Sequence, residues 1–568
     1  MKAYAIANND VAFLAWNYGK KIPDCLGFAI YRIDLNSRVS TTLPSWVGFA
    51  GEAHKDGERK STEEWPIQKF NWRDLTARRG GFYQYKIVPM VGTADKLRPR
   101  AKYALTSNPI HLTGERGDIS AYFNRGILAT QFLTRQIPKG PSGQPNYIKL
   151  DERIDQPGDP LRDRLSGELR LAMMSLLERA RKQGGACYGA LYELSDPELE
   201  QTLLGASYVH LVLSNTGTDD ATNVSGRQAL HDSHTDVADR MLGNGHIGHN
   251  KFMVYVDSTG KPRAVLSGST NWTPTAICGQ TNNALIIESE KLASYYFNYW
   301  KRLKKDTDDA DGDAGALQGQ KFRQDNNQSL QATLDSGNTK VTLWFSPNTK
   351  QKSKGAKAAM PSDMKEVFDV MEGAKHAILF LAFMPGTPSI MTKLEDCEEK
   401  NPNLLIHGAL TDDKAVDAYH VDLYHRSGKK PDATVVAAKA INDQFAFWQK
   451  ELLKSSPQAH AIIHDKIVVV DPLSPDCVVI TGSHNLGYRA SYNNDENMLI
   501  IRGNRALSES YAAHVMDVYD HYRFRYKLQE EKSKAWQGLS KKDTWQDIYF
   551  KPNSTARKEI EFWTGASS

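Results

Sequence analysis

Cysteine is scarce in this sequence and unpatterned. Of 568 residues only five are Cys (Cys25, Cys187, Cys278, Cys397, Cys477), scattered and without a Cys-x-x-Cys pair. An odd, dispersed set excludes a disulfide framework and zinc-type spacing, and it fits a reducing compartment. Long apolar runs are missing as well. The longest, such as Ala377–Met384, are strand-sized, against the ~20 residues a membrane helix needs. An excess of one charge is also missing: Lys plus Arg is 71, Asp plus Glu is 67, and the net charge is +4. That argues against a tail-type or histone-like polyanion binder and leaves a local basic groove open. The opening MKAYAIANNDVAFLAW has no apolar core of roughly 7–15 residues and no small-residue cleavage site. The expectation is a mature protein, cytoplasmic or exported without a signal peptide.

What is present changes character along the chain. In residues 1–112 the stretches Val11–Trp16, Leu26–Asp34, Ile67–Trp72 and Phe82–Met90 are short, β-branched and aromatic, with Gly, Pro, Asn and Lys between them. This reads as an antiparallel β-sandwich, and its rhythm resembles a fibronectin type III-like module. Residues 113–160 are polar and rich in Pro and Gly, as in a crossover segment. From Leu161 an α/β pattern begins: helical spacing over Leu161–Lys182, then strands at Ala186–Tyr192 and Tyr208–Leu213. A polar stretch, Ser214–His246, precedes a strand–turn–strand over His249–Leu266 and a helix near Ser289–Lys304. Lys305–Gln328 (DTDDADGDAGALQGQ) reads as an acidic linker. Its Asp309, Asp311 and Asp313 have calcium-loop spacing, but Ala314 and Gln320 stand where such a loop needs Gly and Glu. The α/β pattern then restarts, with strands at Lys340–Phe345, His376–Met384, Asn403–Leu410, Ala461–Val470 and Cys477–Ile480 and helices at Ser362–Glu372 and Arg505–Lys527. The fold class is therefore α/β. The expected domains are a β-sandwich over 1–112, a first α/β half with its linker over 113–328, and a second half with a C-terminal tail over 329–568. Two tandem α/β patterns imply internal duplication.

The duplication is sharpest in one constellation. His249-Asn-Lys251, five residues, Asp257, ten residues and Gly268-Ser269-Thr-Asn271 make the first copy. His464-Asp-Lys466, four residues, Asp471, ten residues and Gly482-Ser483-His-Asn485 make the second, 215 residues on. At average usage six fixed residues recur by chance roughly once in ten million start positions, so accident is excluded. Residues i and i+2 of a strand share a face, which aims each His–Lys pair one way. A neutral imidazole is a nucleophile and an imidazolium an acid. Lys gives fixed positive charge, and Ser and Asn give neutral donors. Two such sets place a histidine on either side of one anion, which suits in-line displacement at phosphorus. No carboxylate cluster calls for a metal, and no cofactor is implied. The pairs His246/His249, His460/His464 and His420/His425 lack acidic or Cys partners and read as packing or surface residues.

At these residues the sequence resembles the phospholipase D superfamily, whose signature is a doubled HxK, Asp and GSxxN-like element. The resemblance covers about residues 160–530. It implies a pseudo-twofold pair of α/β sandwich domains, a phosphohistidine intermediate on one His, protonation of the leaving oxygen by the other, and no metal. The extra residue between Lys251 and Asp257 departs from the pattern, and a β-bulge would absorb it. Members also carry a carboxylate or amide that holds the far nitrogen of the histidine. Aligning Thr281-Asn282-Asn283-Ala-Leu-Ile-Ile with Asp495-Glu496-Asn497-Met-Leu-Ile-Ile sets Asn282 opposite Glu496. A carboxylate stabilises imidazolium whereas an amide only orients it. The reading is that Glu496 backs His464 as general acid and that His249 is the nucleophile. The expected catalytic residues are thus His249, Lys251, His464 and Lys466. Ser269, Asn271, Ser483, Asn485, Asn282 and Glu496 bind or orient the phosphate, and Asp257, Asp471, Gly268 and Gly482 support.

The motif does not choose the substrate. Phospholipid at a membrane surface is the leading expectation, a nucleic-acid phosphodiester the alternative, and a silent binding or scaffold protein a third. Two motif copies in one chain, near-neutral charge, and aromatics beside the motifs (Phe252, Tyr255, Trp272, Tyr488, Tyr492) lean toward lipid, although such aromatics are usually core. Ser214–His246 and Thr411–Ser456 are candidate lids.

Overall fold

The computed structural model describes the chain apart from residues 54, 56–57, 127–147, 217–219, 335–336, 351–358, 387, 412–434, 438–462, 531–537 and 566–568. Contacts divide it into two compact units: residues 1–114 with 403–406 and 509–568, and residues 115–402 with 407–508. The fold is mixed α/β with several sheets.

In the first unit Lys2–Ala7, Ala12–Asn17 and Asn71–Asp74 form one antiparallel sheet. Cys25–Asp34 pairs with Phe82–Thr93 at the centre of a second. Leu14 and Trp16 from one sheet and Phe28, Ile30, Tyr85 and Ile87 from the other fill one core. The sequence pattern assigns the C-terminal segment to the second half as a tail. Its partners are instead these sheets. Ile560 enters the same core, Trp563 meets Phe13 at 4.8 Å between ring centroids, and the Trp545 indole N–H donates to the Cys25 carbonyl at 2.9 Å. Buried aromatic area of this kind is a strong packing force, and no motif announces it.

The second unit holds two eight-stranded sheets. The first runs, edge to edge, Glu115–Arg116, Ile119–Phe123, Asn283–Glu288, Pro262–Gly268, Lys251–Val256, Ala186–Leu191, Val209–Thr216, Asp236–Leu242. The second runs Leu330–Thr333, Lys340–Ser346, Glu496–Arg502, Val478–Gly482, Ile467–Val470, Ala377–Ala382, Leu405–Leu410, Val435–Ala437. Ranked by chain order, both read 1-2-8-7-6-3-4-5. Lys251–Val256 and Ile467–Val470 are buried along their whole length, which is why they are unbroken apolar runs and not alternating ones. The helix Pro160–Gln183 starts where Asp159 caps the Leu161 N–H at 2.7 Å, with Pro at the first helical position. Its Leu165, Leu169, Met173 and Leu176 pack with Leu211, Met253 and Leu266 of the sheet.

The bulge expected in the first motif is present: the register of Lys251–Val256 against Pro262–Gly268 shifts between Tyr255 and Val256. In the second half, pairing from Val468 to Val470 runs without a shift. Three other readings need correction. The polar crossover contains Ile119–Phe123, an interior strand of the first sheet bonded to Asn283–Glu288. Short alternation amid Gly and Asp disguised it. Ser214–His246 is not a lid. It holds the helix Val224–Asp232 and the sheet strand Asp236–Leu242, whose polar residues fit an edge position. The supposed linker is ordered, because the helix Glu290–Ala310 runs into it and Gln320–Asn326 is helical. Of its acidic residues, Asp308, Asp309 and Asp325 form i,i+4 pairs with Lys304, Lys305 and Lys321, and Asp306 pairs with the buried Arg240. The other lid candidate, Thr411–Ser456, lies almost wholly outside the described residues, as do His420, His425 and His460.

Candidate active site

The two histidine segments meet at one end of the two sheets. Lys251 opens the strand Lys251–Val256, Lys466 directly precedes Ile467–Val470, and each histidine lies two residues before its lysine. The rings of His249 and His464 are 6.2 Å apart between centroids, at 76°. Backbone pairing clips each histidine segment to the opposite half: Asp495 N–H donates to Ile247 O at 2.9 Å, and His464 N–H to Thr281 O at 3.0 Å.

Both lysines are buried, Lys251 at 3% exposure and Lys466 at 0%. Each ammonium donates to the carbonyl of its own histidine at 2.6 Å, and neither has a carboxylate within ion-pair distance among the described residues. Each also sits over an aromatic ring. Lys251 lies 5.1 Å from the centre of Tyr192, and Lys466 lies 5.3 Å from that of Phe383. The same rings contact the histidines, Tyr192 with His249 at 5.2 Å and Phe383 with His464 at 5.1 Å. Buried ammonium groups without counterions are costly. Burial accordingly drops Lys251 to about 7 and holds Lys466 well below the usual lysine range, with the neighbouring Lys251 adding to the latter. Burial and then the lysines push both imidazoles well below their ordinary value. An anion placed among these groups would reverse each of those shifts.

The far nitrogens are held asymmetrically. His249 Nδ1 faces Glu496 Oε2 at 3.0 Å and the Ser483 carbonyl at 3.1 Å. A carbonyl only accepts, so Nδ1 carries the hydrogen and Nε2 keeps its lone pair. His464 Nδ1 faces Asn282 Oδ1 at 2.9 Å. The Asn282 amide is oriented by its Nδ2 donating to Ala276 O at 2.9 Å and by Ser269 Oγ donating to Oδ1 at 2.8 Å. The assignment of Glu496 to His464 is therefore wrong: the carboxylate backs His249, and the amide backs His464. Alignment places the two residues at equal ranks in their halves, and the halves exchange them across the site. Burial pushes the Glu496 carboxyl up to about 8.

The small motif residues shape the turns. Gly268 and Gly482 have φ of 152° and 141°. A Cβ there would collide with the carbonyl oxygens of Asn283 and Asn497, so only glycine fits. Ser269 and Ser483 accept the backbone N–H of Asn283 and Asn497, each at 3.0 Å. Oδ1 of Asn271 and of Asn485 is buried without a hydrogen-bond partner among the described residues. Asp257 and Asp471 are not in the site. They lie at the far ends of their strands, about 20 Å away at ~3.3 Å per residue. Asp257 closes its hairpin by accepting from Thr259 N, Lys261 N and Arg263 Nε. Asp471 accepts from Lys375, His376 and Ala377 N–H. Of the aromatics beside the motifs, Phe252 packs on Tyr296 and Tyr299 and Trp272 is buried in the core of the first sheet. The rings at the histidines are Tyr192 and Phe383.

Nothing in the sequence reading points to another buried carboxylate beside the motif, Glu193. It is 8% exposed, accepts from Asn271 Nδ2, and is pinned by Trp272 N–H donating to its carbonyl at 3.0 Å. Burial raises its carboxyl, against the pull of Lys251 and Lys466. The available signal was a lone acid immediately after a fully apolar strand. Among the described residues no group of three or more His, Cys, Asp or Glu side chains is placed to hold a metal ion. No described helix is long and apolar enough to cross a membrane.

The paired HxK segments face each other across one narrow gap, and part of the chain matches a phospholipase D-like family. Residues 368–517 match the family model described as cardiolipin synthase, PLD-like domain. Among solved structures, phosphatidylserine synthase from Haemophilus influenzae is similar at 13% identity, covering 65% of this chain and 92% of its own, with TM-score 0.40. The phospholipase D family member Nuc from Salmonella typhimurium matches at 19% identity over 24% of this chain and 87% of its own, TM-score 0.21. A mutant of yeast tyrosyl-DNA phosphodiesterase 1 matches at 8% identity over 56% and 83%, TM-score 0.32. No curated protein matches the sequence.

Proposed function

We propose that the protein is a phosphodiesterase of phospholipase D type that cleaves or exchanges phospholipid headgroups through a phosphohistidine on His249. The observation that carries this reading is the pair of buried lysines, without carboxylate partners, flanking two histidines 6.2 Å apart. Such a gap fits one phosphodiester, with the ammonium groups on its non-bridging oxygens. Nε2 of His249 attacks phosphorus while the bond to the headgroup oxygen breaks, and His464 gives that oxygen its proton. Water or an alcohol then attacks from the same side. His464 takes back a proton as the P–N bond breaks. Glu496 stabilises the positive charge that phosphorylation places on His249, whereas Asn282 only orients His464 and so leaves its imidazolium the stronger acid. These steps place His249, Lys251, His464 and Lys466 at the reaction, and Ser269, Asn271, Ser483, Asn485, Asn282 and Glu496 around it. The shared strand order supports two pseudo-twofold halves with the fibronectin-like β-sandwich as an accessory module. Lipid is favoured because the matched family description names a lipid enzyme.

The test is incubation of wild type and His249→Ala with mixed anionic and zwitterionic liposomes in EDTA, beside tubes of single-stranded and duplex DNA. Headgroup release that needs His249 supports the proposal together with metal independence. DNA cleavage with untouched lipid would move the protein to the nuclease reading.

A further inference from the structure

The two halves differ at one position that the doubled motif does not include. Lys251 pairs with Leu191 across the sheet, and Glu193 lies two residues beyond. In the second half Leu381 pairs with Ile467, so the matching residue is Met384. The rings between confirm the equivalence, since Tyr192 and Phe383 stand identically against their histidine and lysine. One half thus adds a carboxylate where the other has a thioether.

This adds negative charge on one side of the site. Glu193 acts electrostatically on both Lys251 and Lys466, alongside Glu496 and the buried Asp465. A fixed negative charge opposes a bound anion in proportion to that anion's own charge, so it penalises a phosphomonoester, dianionic near neutral pH, about twice as much as a singly charged phosphodiester.

We propose that Glu193 is a charge-matching residue that makes the site select a monoanionic diester over a dianionic monoester, and so disfavours retention of the monoester formed by hydrolysis. The inference rests on the anion-site reading above and goes beyond it in naming what limits that site. Glu193 acts at a distance, by its field on the bound anion and by holding Asn271, and takes no part in bond making.

The test compares sulfate, a dianion, with dimethyl phosphate, a monoanion, by calorimetric titration at pH 7 of wild type, Glu193→Gln and Glu193→Asp. In Glu193→Gln the affinity for sulfate relative to dimethyl phosphate should rise by about tenfold or more, the scale of one buried unit charge a few ångströms away. Glu193→Asp, which keeps the charge, should stay near wild type. A merely structural role predicts loss of both anions, not a gain for one. An unchanged ratio in Glu193→Gln with both anions still bound overturns the inference alone. Wild type gives a check that needs no variant to fold: sulfate binding more tightly than dimethyl phosphate also overturns it. If wild type binds neither anion, the anion-site reading falls and this inference with it.

Discussion

The first and second halves of the site share a strand order, an HxK pair, an aromatic ring under the lysine and a positive-φ glycine. They differ in who supports each histidine. His249 is backed by a buried carboxylate from the second half, His464 by an amide from the first, and only the first half adds Glu193. A symmetric dimer of one half would repeat every substitution on both sides. A single chain lets the two histidines specialise. On the proposed reading, the shared parts hold phosphate, and the unshared parts assign roles and set charge.

The largest effect that would sharpen this comparison comes from the histidines. His249→Ala and His464→Ala should each lower turnover by about 10⁴-fold or more. Quenched-flow trapping with labelled substrate should then separate them, phosphate accumulating on protein in His464→Ala and never in His249→Ala. Label on His464 in the latter would exchange the two roles. Next, Lys251→Ala and Lys466→Ala should each cost about 10²–10³-fold in kcat, the range for removing one preorganised donor to the transition state. A large inequality between them would show that the two lysines do not share the anion evenly.

The supporting residues come third. Glu496→Gln should lower kcat by about 10²-fold and Asn282→Ala by about tenfold. The asymmetry has a pH signature. The Glu496 carboxyl is raised to about 8 by burial, so below that pH it tends to hold a proton and cannot stabilise a cationic His249. The profile of kcat/KM should therefore combine a limb that rises with pH toward about 8, set by Glu496, with a fall as Lys251 loses its proton near 7, and Glu496→Gln should remove the rising limb alone. A limb that persists in the variant would place the titration elsewhere. The smallest effect is expected at Met384→Leu, within about threefold of wild type, because that position carries neither charge nor hydrogen bond. A drop as large as at Lys466 would give the second half a specific polar role after all.

Much of the site was legible in the sequence, for a physical reason. Side chains that converge on one point from neighbouring strand ends need fixed spacing, so the spacing of His249, Lys251, Gly268 and Ser269 recurs almost unchanged in the second half. The bulge was legible because one extra residue in a paired strand has few ways to be accommodated. Partnership was not legible. Rank within a half gave Asn282 and Glu496 as equivalents, but which histidine each serves depends on how the halves pack, and that leaves no mark in local spacing. Glu193 follows its strand without a motif of its own. The stretch over residues 305–328 misled because polar, Gly-containing sequence is the signature of both a solvated linker and a tightly bonded connection. Gln318 shows the second case: it is buried, faces His246 Nδ1 at 2.7 Å and donates to Asp495 at 2.9 Å. Asp495 in turn pairs with the buried Arg240 at 2.7 Å, one residue from the carboxylate that backs His249.

The clips at Ile247–Asn494 and Thr281–Ile463 carry a consequence for reaction order. Each histidine segment completes its backbone bonding on the other half, so neither half presents a finished site by itself. Were the chain cut near Gly312, between the two sheets, the activity of the nicked protein under conditions that separate the pieces would scale with the product of their concentrations. In the intact chain the same connection makes that encounter unimolecular, and the activity per molecule is independent of dilution.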